Sequence, residues 1–263
     1  MKPDTSEVFC PVGVKDLDTA VNLLREGLQE LILSGLAESG FSDRAVFHGG
    51  TCLRILHGLD RFSEDLDFSL VQKDYGFDFG PHLERTCSNL EDLGFEPSYK
   101  TRPPKGEMMV YSAKIKMNLR NALRTAGFSE NVVEDAHSQE LVTVKLDVDL
   151  DPAPYSRNEI VSKTSPLRYS VRTEPLPVLF AGKTAAVLCR HIGCLESQLD
   201  KKCEPTTGLD RETLIAILKR RFDTLDWDSA KDDVINFIEP SQLGEWGPEP
   251  FKALADRISV LEN

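Results

Sequence analysis

Positive charge is scarce in this chain: 31 Lys and Arg stand against 43 Asp and Glu, a formal charge of −12 at pH 7. That balance excludes a protein that coats nucleic acid by bulk attraction, so any polyanion must be met by a local patch. Eighteen consecutive apolar residues occur nowhere, which argues against a membrane-spanning helix, and Met1 to Val12 lacks the apolar core of a secretory signal. The six cysteines include no Cys-x-x-Cys pair. Cys189, His191 and Cys194 lie close together but lack a fourth ligand and the spacing of a zinc site. The expected setting is therefore the reducing cytoplasm, with the thiols acting as small apolar side chains. What remains, 263 residues that are 40% hydrophobic and 28% charged, is the composition of a globular protein with a sizeable core.

Two neighbouring stretches carry the chemistry. The first is Phe47-His48-Gly49-Gly50-Thr51-Cys52-Leu53-Arg54 and the second is Arg61-Phe62-Ser63-Glu64-Asp65-Leu66-Asp67-Phe68. Read with period two, the second puts Phe62, Leu66, Phe68 and Leu70 on one face of a strand and Ser63, Asp65 and Asp67 on the other. Paired carboxylates repel and raise each other's pKa, so a fold keeps them side by side where a cation sits between them. Hard oxygen ligands without Cys or His point to Mg²⁺. In the first stretch Gly49 and Gly50 let backbone approach a ligand, Thr51 is placed to cap the following helix, and a helix N-terminus attracts phosphate.

Apolar residues at spacings of three to five predict an amphipathic helix from Leu17 to Leu36, packed on the outside of the core. A short strand over Ala45 to His48 leads into the glycines, and Gly58 closes a brief helix from Thr51 to His57. A loop over Gln72 to Pro81 precedes a helix from His82 to Leu93, ended by Gly94. After Pro103-Pro104 comes a clean alternation in which Tyr111, Ala113, Ile115, Met117 and Leu119 oppose Ser112, Lys114, Lys116, Asn118 and Arg120. That basic face is either the lysine-guarded surface of an edge strand or a surface for phosphates. A second alternation sets Val142, Val144, Leu146, Val148 and Leu150 against Thr143, Lys145, Asp147, Asp149 and Asp151. A helix is predicted over Val178 to His191, with Ala181-Gly182-Lys183-Thr184-Ala185-Ala186 at its middle. The polar stretch Gly193 to Gly208 separates a core over 1–195 from a C-terminal helical region over 196–263, whose runs Lys201-Lys202 and Lys219-Arg220-Arg221 are solvated surface or RNA contacts.

The Gly-Gly-Thr helix start followed by Arg61-Phe62-Ser63-Glu64-Asp65-Leu66-Asp67-Phe68 resembles the first two motifs of the AbiEii-type nucleotidyltransferases. These are toxins of abortive-infection and toxin–antitoxin systems, related to the MenT toxins and part of the DNA polymerase β-like superfamily. The resemblance implies an α/β (α+β) fold, a mixed-sheet nucleotidyltransferase core flanked by helices with a small C-terminal helical appendage. It implies transfer of a nucleoside monophosphate from an NTP to an RNA acceptor such as a tRNA 3′ end, with two Mg²⁺ ions, and a cognate antitoxin encoded nearby. In that reading Asp65 and Asp67 hold metal, and a third carboxylate on an adjacent strand completes the cage. The acidic strand ending at Asp151-Pro152 favours Asp147, with Asp149 the alternative. Gly49, Gly50 and Thr51 cradle phosphates, Lys183 in its Leu-Phe-Ala-Gly-Lys context neutralises the triphosphate, and Ser63 and Arg54 support the nucleotide and the carboxylates.

The same resemblance implies a fourth motif, an Arg-Asp pair soon after the lysine helix. The chain instead passes from Leu188-Cys189-Arg190 to His191-Ile192-Gly193-Cys194, so the pair is missing. Two readings follow: a transferase in which another carboxylate substitutes, or a nucleotide-binding homologue with impaired turnover. A metal-dependent phosphohydrolase is a third, disfavoured because such sites recruit histidine and none is expected beside the acidic strands.

Overall fold

The structure, a computed structural model, describes residues 6–105, 109–152, 157–179, 183, 216, 219–220, 222–224, 227–228, 247–249 and 252–253. The chain divides into two compact units, Met1–Pro152 with Ser156–Pro175, and Ala153–Tyr155 with Leu176–Asn263. The boundary expected after residue 195 falls outside the described residues. In the second unit residues 176–179, Lys183, Lys219, Arg220 and Trp227 are helical, and most of the helices expected in the tail lie outside the described residues.

The first unit is built on a seven-stranded mixed sheet. Its strands are β1 (Ala45–His48), β2 (Asp65–Leu70), β3 (Ser98–Arg102), β4 (Val110–Asn118), β5 (Leu141–Asp149), β6 (Glu159–Lys163) and β7 (Tyr169–Thr173), in the order β3-β4-β5-β2-β1-β7-β6. The pairs β2–β5 and β1–β7 are parallel and the others antiparallel. Its helices are α1 (Ser6–Phe9), α2 (Leu17–Glu38), α3 (Gly49–His57), α4 (Gly80–Asp92), α5 (Leu119–Thr125) and α6 (Glu130–Asp135). The expected mixed sheet flanked by helices is what the chain forms.

Alternation sets the two faces. Leu66, Phe68, Tyr111, Ala113, Val144 and Leu146 are buried on one side of the sheet. Phe68 packs against Phe41 and Phe47 at ring-centroid distances of 5.0 and 5.3 Å, and Phe79 meets Tyr111 edge-on at 6.0 Å. With that face committed to the core, a one-residue slip would bury the carboxylates, so the pattern fixes their direction.

The helix α2 starts where Asp16 accepts a hydrogen bond from the Thr19 N–H at 2.8 Å, which holds the Asp16 carboxyl below its ordinary range. The expectation that it packs outside the core is corrected. Eleven of its 22 residues are buried, including Gln29 and Glu30. Its glycines explain the close fit: a Cβ at Gly27 would collide with the Phe9 ring, and one at Gly35 would lie 3.1 Å from the Thr86 backbone of α4. Two other expectations shift. β4 is interior, flanked by β5 and by the edge strand β3, so its lysines do not guard an edge. The acidic strand begins at Asp65 rather than Phe62, because the Ser63 and Glu64 carbonyls accept from the Gln29 amide at 2.8 and 2.9 Å.

Candidate nucleotidyltransferase site

Register assembles the site. Across the parallel β2–β5 pair Asp65 lies opposite Lys145, Asp67 opposite Asp147 and Ser69 opposite Asp149. Antiparallel β1 sets His48 opposite Asp67, and β4 sets Ser112 opposite Asp147. One row across the polar face therefore reads Ser112, Asp147, Asp67, His48, with Asp65 and Lys145 in the row beside it. The carboxylates of Asp65, Asp67 and Asp147 share a face through backbone pairing alone.

The Asp147 carboxylate is divided between two environments. Its Oδ2 accepts from the Lys145 ammonium at 2.6 Å, while its Oδ1 is buried with no hydrogen-bond partner among the described residues. The same ammonium lies 3.9 Å from Asp65 Oδ2. The Asp147 bond raises the Lys145 pKa, helped by the charges of Asp147, Asp65 and Asp67 and opposed by burial. Asp149 differs: its Oδ1 accepts from the Asp151 N–H at 3.0 Å, closing the turn after the strand.

At the other edge of the row α3 begins directly from β1, with His48 as its N-cap. Gly49 has φ +84°, and a Cβ there would collide with Asp67 Oδ2 and lie 3.1 Å from Asp67 Cγ. This glycine is needed for conformation and for space together. A Cβ at Gly50 would lie 2.8 Å from Ser63 Oγ, so the serine hydroxyl fills the room the second glycine leaves. Gly49→Ala is expected to destabilise the protein by about 1–3 kcal/mol and to turn the Asp67 carboxylate away from its row. Chemical denaturation read beside nucleotide binding checks this; an alanine variant with unchanged midpoint and binding would overturn it.

Two expected residues act elsewhere than anticipated. Thr51 lies two residues into α3 instead of capping it; its buried hydroxyl donates to the Asp65 carbonyl and pins the start of the acidic strand. Arg54 is turned to α2, donating to Glu26 Oε2 at 2.6 Å and to the Leu59 carbonyl at 2.9 Å, with its guanidinium 4.5 Å from the Phe62 ring centroid. It ties α3 to its surroundings and does not join the carboxylate row. Lys183 is an exposed helical residue of the second unit. Among the described residues no three His, Cys, Asp or Glu side chains converge on one point. The ammonium of Lys145 is what stands against Asp147 and Asp65.

Three groups come into the site that sequence reasoning had not placed there. Lys145 sits two residues before Asp147, on the same strand face. No histidine is expected beside the acidic strands, yet His48 is the register partner of Asp67. Burial raises the carboxyl pKa of Glu174, and the nearby His48 opposes that shift. Behind them the buried Cys52 thiol lies 3.0 Å from the Thr173 hydroxyl, which itself donates to the Phe47 carbonyl, and burial pushes the thiol pKa up to about 12.

A mixed sheet presenting an Asp-x-Asp strand, a third carboxylate on its parallel neighbour and a Gly-Gly helix start has the architecture of a nucleotidyltransferase. A sequence model described as "Nucleotidyl transferase AbiEii toxin, Type IV TA system" matches residues 31–202, and the chain belongs to that family. Such a family implies a cognate antitoxin. Among solved structures, a Helicobacter pylori protein described provisionally as a nucleotidyltransferase is 19% identical, with a TM-score of 0.51, over 92% of this chain and 98% of that one. At that identity the likeness is one of fold. The protein JHP933 from Helicobacter pylori is 18% identical over 90% of this chain and 91% of its own, with a TM-score of 0.48. No curated protein matches. No helix among the described residues is long and apolar enough to cross a membrane.

Proposed function

We propose that the protein transfers a nucleoside monophosphate from an NTP to a hydroxyl of an RNA acceptor, a tRNA 3′ end being the acceptor the family suggests. The observation that carries this reading is the β2–β5 register, which puts Asp65, Asp67 and Asp147 on one face beside the Gly49-Gly50 helix start. The donor set fits a hard divalent cation such as Mg²⁺: every candidate ligand is a carboxylate oxygen, and Asp147 Oδ1 is buried without a partner. Asp65, Asp67 and Asp147 would hold such ions, which when bound polarise the phosphoryl group and lower the pKa of the attacking hydroxyl. Asp149 is already committed to its turn, which supports Asp147 as the third carboxylate. Gly49 and Gly50 keep the β1–α3 junction open to phosphate, with the first N–H groups of α3 as donors. Ser63 supports that junction, Thr51 fixes its distance from Asp65, and Lys183 would balance charge on the triphosphate.

A second reading, a nucleotide binder with impaired turnover, is favoured by one observation: the Lys145 ammonium already bridges toward two of the three carboxylates. Purified protein incubated with Mg²⁺, total tRNA and each labelled NTP in turn separates the two, with Asp65→Ala/Asp67→Ala as control. Label in the RNA that is lost in the control supports transfer. Magnesium-dependent NTP binding without label supports the second reading.

A further inference from the structure

The polar face of the sheet continues beyond the carboxylates. Cross-strand register sets Lys145 of β5 opposite Lys114 of β4, and Lys114 opposite Lys100 of β3. With Asp65 opposite Lys145, a single row reads Lys100, Lys114, Lys145, Asp65. In the neighbouring rows Arg102 lies opposite Ser112, and Lys116 opposite Ser98. Lys100, Arg102 and Lys114 are exposed and Lys116 is half-buried.

Two observations mark this row as unusual. Several other cations of the first unit are neutralised: Arg25, Arg44, Arg54, Arg85, Arg124 and Lys163 each sit on a carboxylate. The side chains of Lys100, Arg102, Lys114 and Lys116 have no hydrogen-bond or ion-pair partner among the described residues. In a chain of net charge −12, four unneutralised cations thus stand in adjacent rows beside the acidic centre. Secondly, like charges directly opposite one another on adjacent strands are destabilising, and here three lysines are stacked in register. For Lys114 and Lys116 the interior position of β4 removes the ordinary explanation, since they shield no edge, whereas Lys100 and Arg102 lie on the edge strand β3.

We propose that this row, Lys100 and Lys114 with Lys116 and Arg102 at its flanks, is the track on which the sugar–phosphate backbone of a single-stranded RNA acceptor lies, its 3′ end running toward Asp65. The inference rests on the transferase reading above and adds the acceptor's path to it. Two strand spacings of about 4.8 Å separate Lys100 from Lys145. That span of about 10 Å holds more than one phosphate at the ~3.4 Å rise of a stacked strand. The occupant must be anionic along its length yet end in a neutral hydroxyl at the carboxylates. A polynucleotide with a free 3′ end has that polarity, whereas an acidic protein segment would bring more carboxylate to Asp65. Phosphate contacts of this kind position a strand without reading its bases.

The test compares the full-length protein with Lys100→Gln/Lys114→Gln/Lys116→Gln, and with the corresponding triple arginine variant, using a short 5′-labelled single-stranded RNA with a free 3′ hydroxyl. Affinity of the glutamine variant should fall about tenfold or more at low salt. The slope of log affinity against log salt should shrink by about two, from three lost contacts at ~0.7 each. The arginine variant should restore both, and magnesium-dependent NTP binding should be unchanged in all three proteins. In the transfer assay KM for RNA should rise while kcat is held. Unchanged RNA affinity and salt slope in the glutamine variant would overturn the track yet leave transfer at Asp65 and Asp67 standing. Absence of RNA binding by the unsubstituted protein would overturn it as well, and NTP binding would show whether the carboxylate site survives that result.

Discussion

Asp67→Asn and Asp147→Asn should each lower nucleotidyl transfer by about a thousandfold, while Asp149→Asn should change it by less than about threefold. Loss of one ligand oxygen from a metal-assisted phosphoryl transfer removes several kcal/mol of transition-state stabilisation, and ~4 kcal/mol corresponds to about three powers of ten. Asp149 points along the same face, but its Oδ1 is occupied by the Asp151 N–H and its register partner is Ser69, one step beyond the acidic row. Stability should move the other way from activity. Removing one of several clustered negative charges relieves repulsion, so Asp67→Asn should melt within about 1 kcal/mol of the unsubstituted protein or above it. Label incorporation into RNA, read beside thermal melting, checks both halves. Equal loss for Asp149→Asn and Asp147→Asn would remove the distinction drawn from register.

The acidic pair was legible because burial of Leu66, Phe68 and Leu70 forces Asp65 and Asp67 to the opposite face. For the same reason β4 and β5 could be read from alternation. What alternation cannot supply is which strand lies beside which. The Asp67–Asp147 pairing depends on a parallel crossover between strands some eighty positions apart in sequence, and only the fold states the register. The edge strand β3, Ser-Tyr-Lys-Thr-Arg, went unread because neither of its faces is buried, so period-two hydrophobicity has nothing to act on. The other edge strand, β6, likewise has no buried face and leaves Ile160 exposed, although its partner β7 alternates, with Tyr169, Val171 and Thr173 buried. Lys145 lay in plain view within its run, yet its meaning came only when Asp65 appeared opposite it. Tertiary contacts add what proximity to the motif could not show for Arg54 and Thr51, which tie α3 to Glu26 of α2 and to the Asp65 carbonyl at the start of β2.

The largest loss of stability should come from Glu30→Ala, about 3–5 kcal/mol, the range for breaking a buried ion pair from one side. Glu30 is 5% exposed on α2. Its Oε1 takes the Lys163 ammonium and its Oε2 accepts from the Tyr169 hydroxyl at 2.6 Å, so one carboxylate joins the long helix to both strands of the β6–β7 hairpin. Burial and that carboxylate together hold the Tyr169 phenol well above its ordinary pKa. Alanine would leave a half-buried ammonium and a buried hydroxyl without that partner, and each unmet group adds its own desolvation penalty. Lys163→Met combined with Glu30→Leu should recover much of the loss, because apolar residues of similar volume replace a buried pair at little net cost. A double-mutant cycle in chemical denaturation measures this, and a Glu30→Ala midpoint shift equivalent to less than 1 kcal/mol would refute the role. The consequence reaches the site through the neighbouring residue. Gln29 holds the Ser63 and Glu64 carbonyls at the entrance to β2, so a helix loosened at Glu30 releases the segment that aims Asp65. Transfer should therefore weaken in Glu30→Ala at temperatures well below its melting transition, and return with the apolar pair.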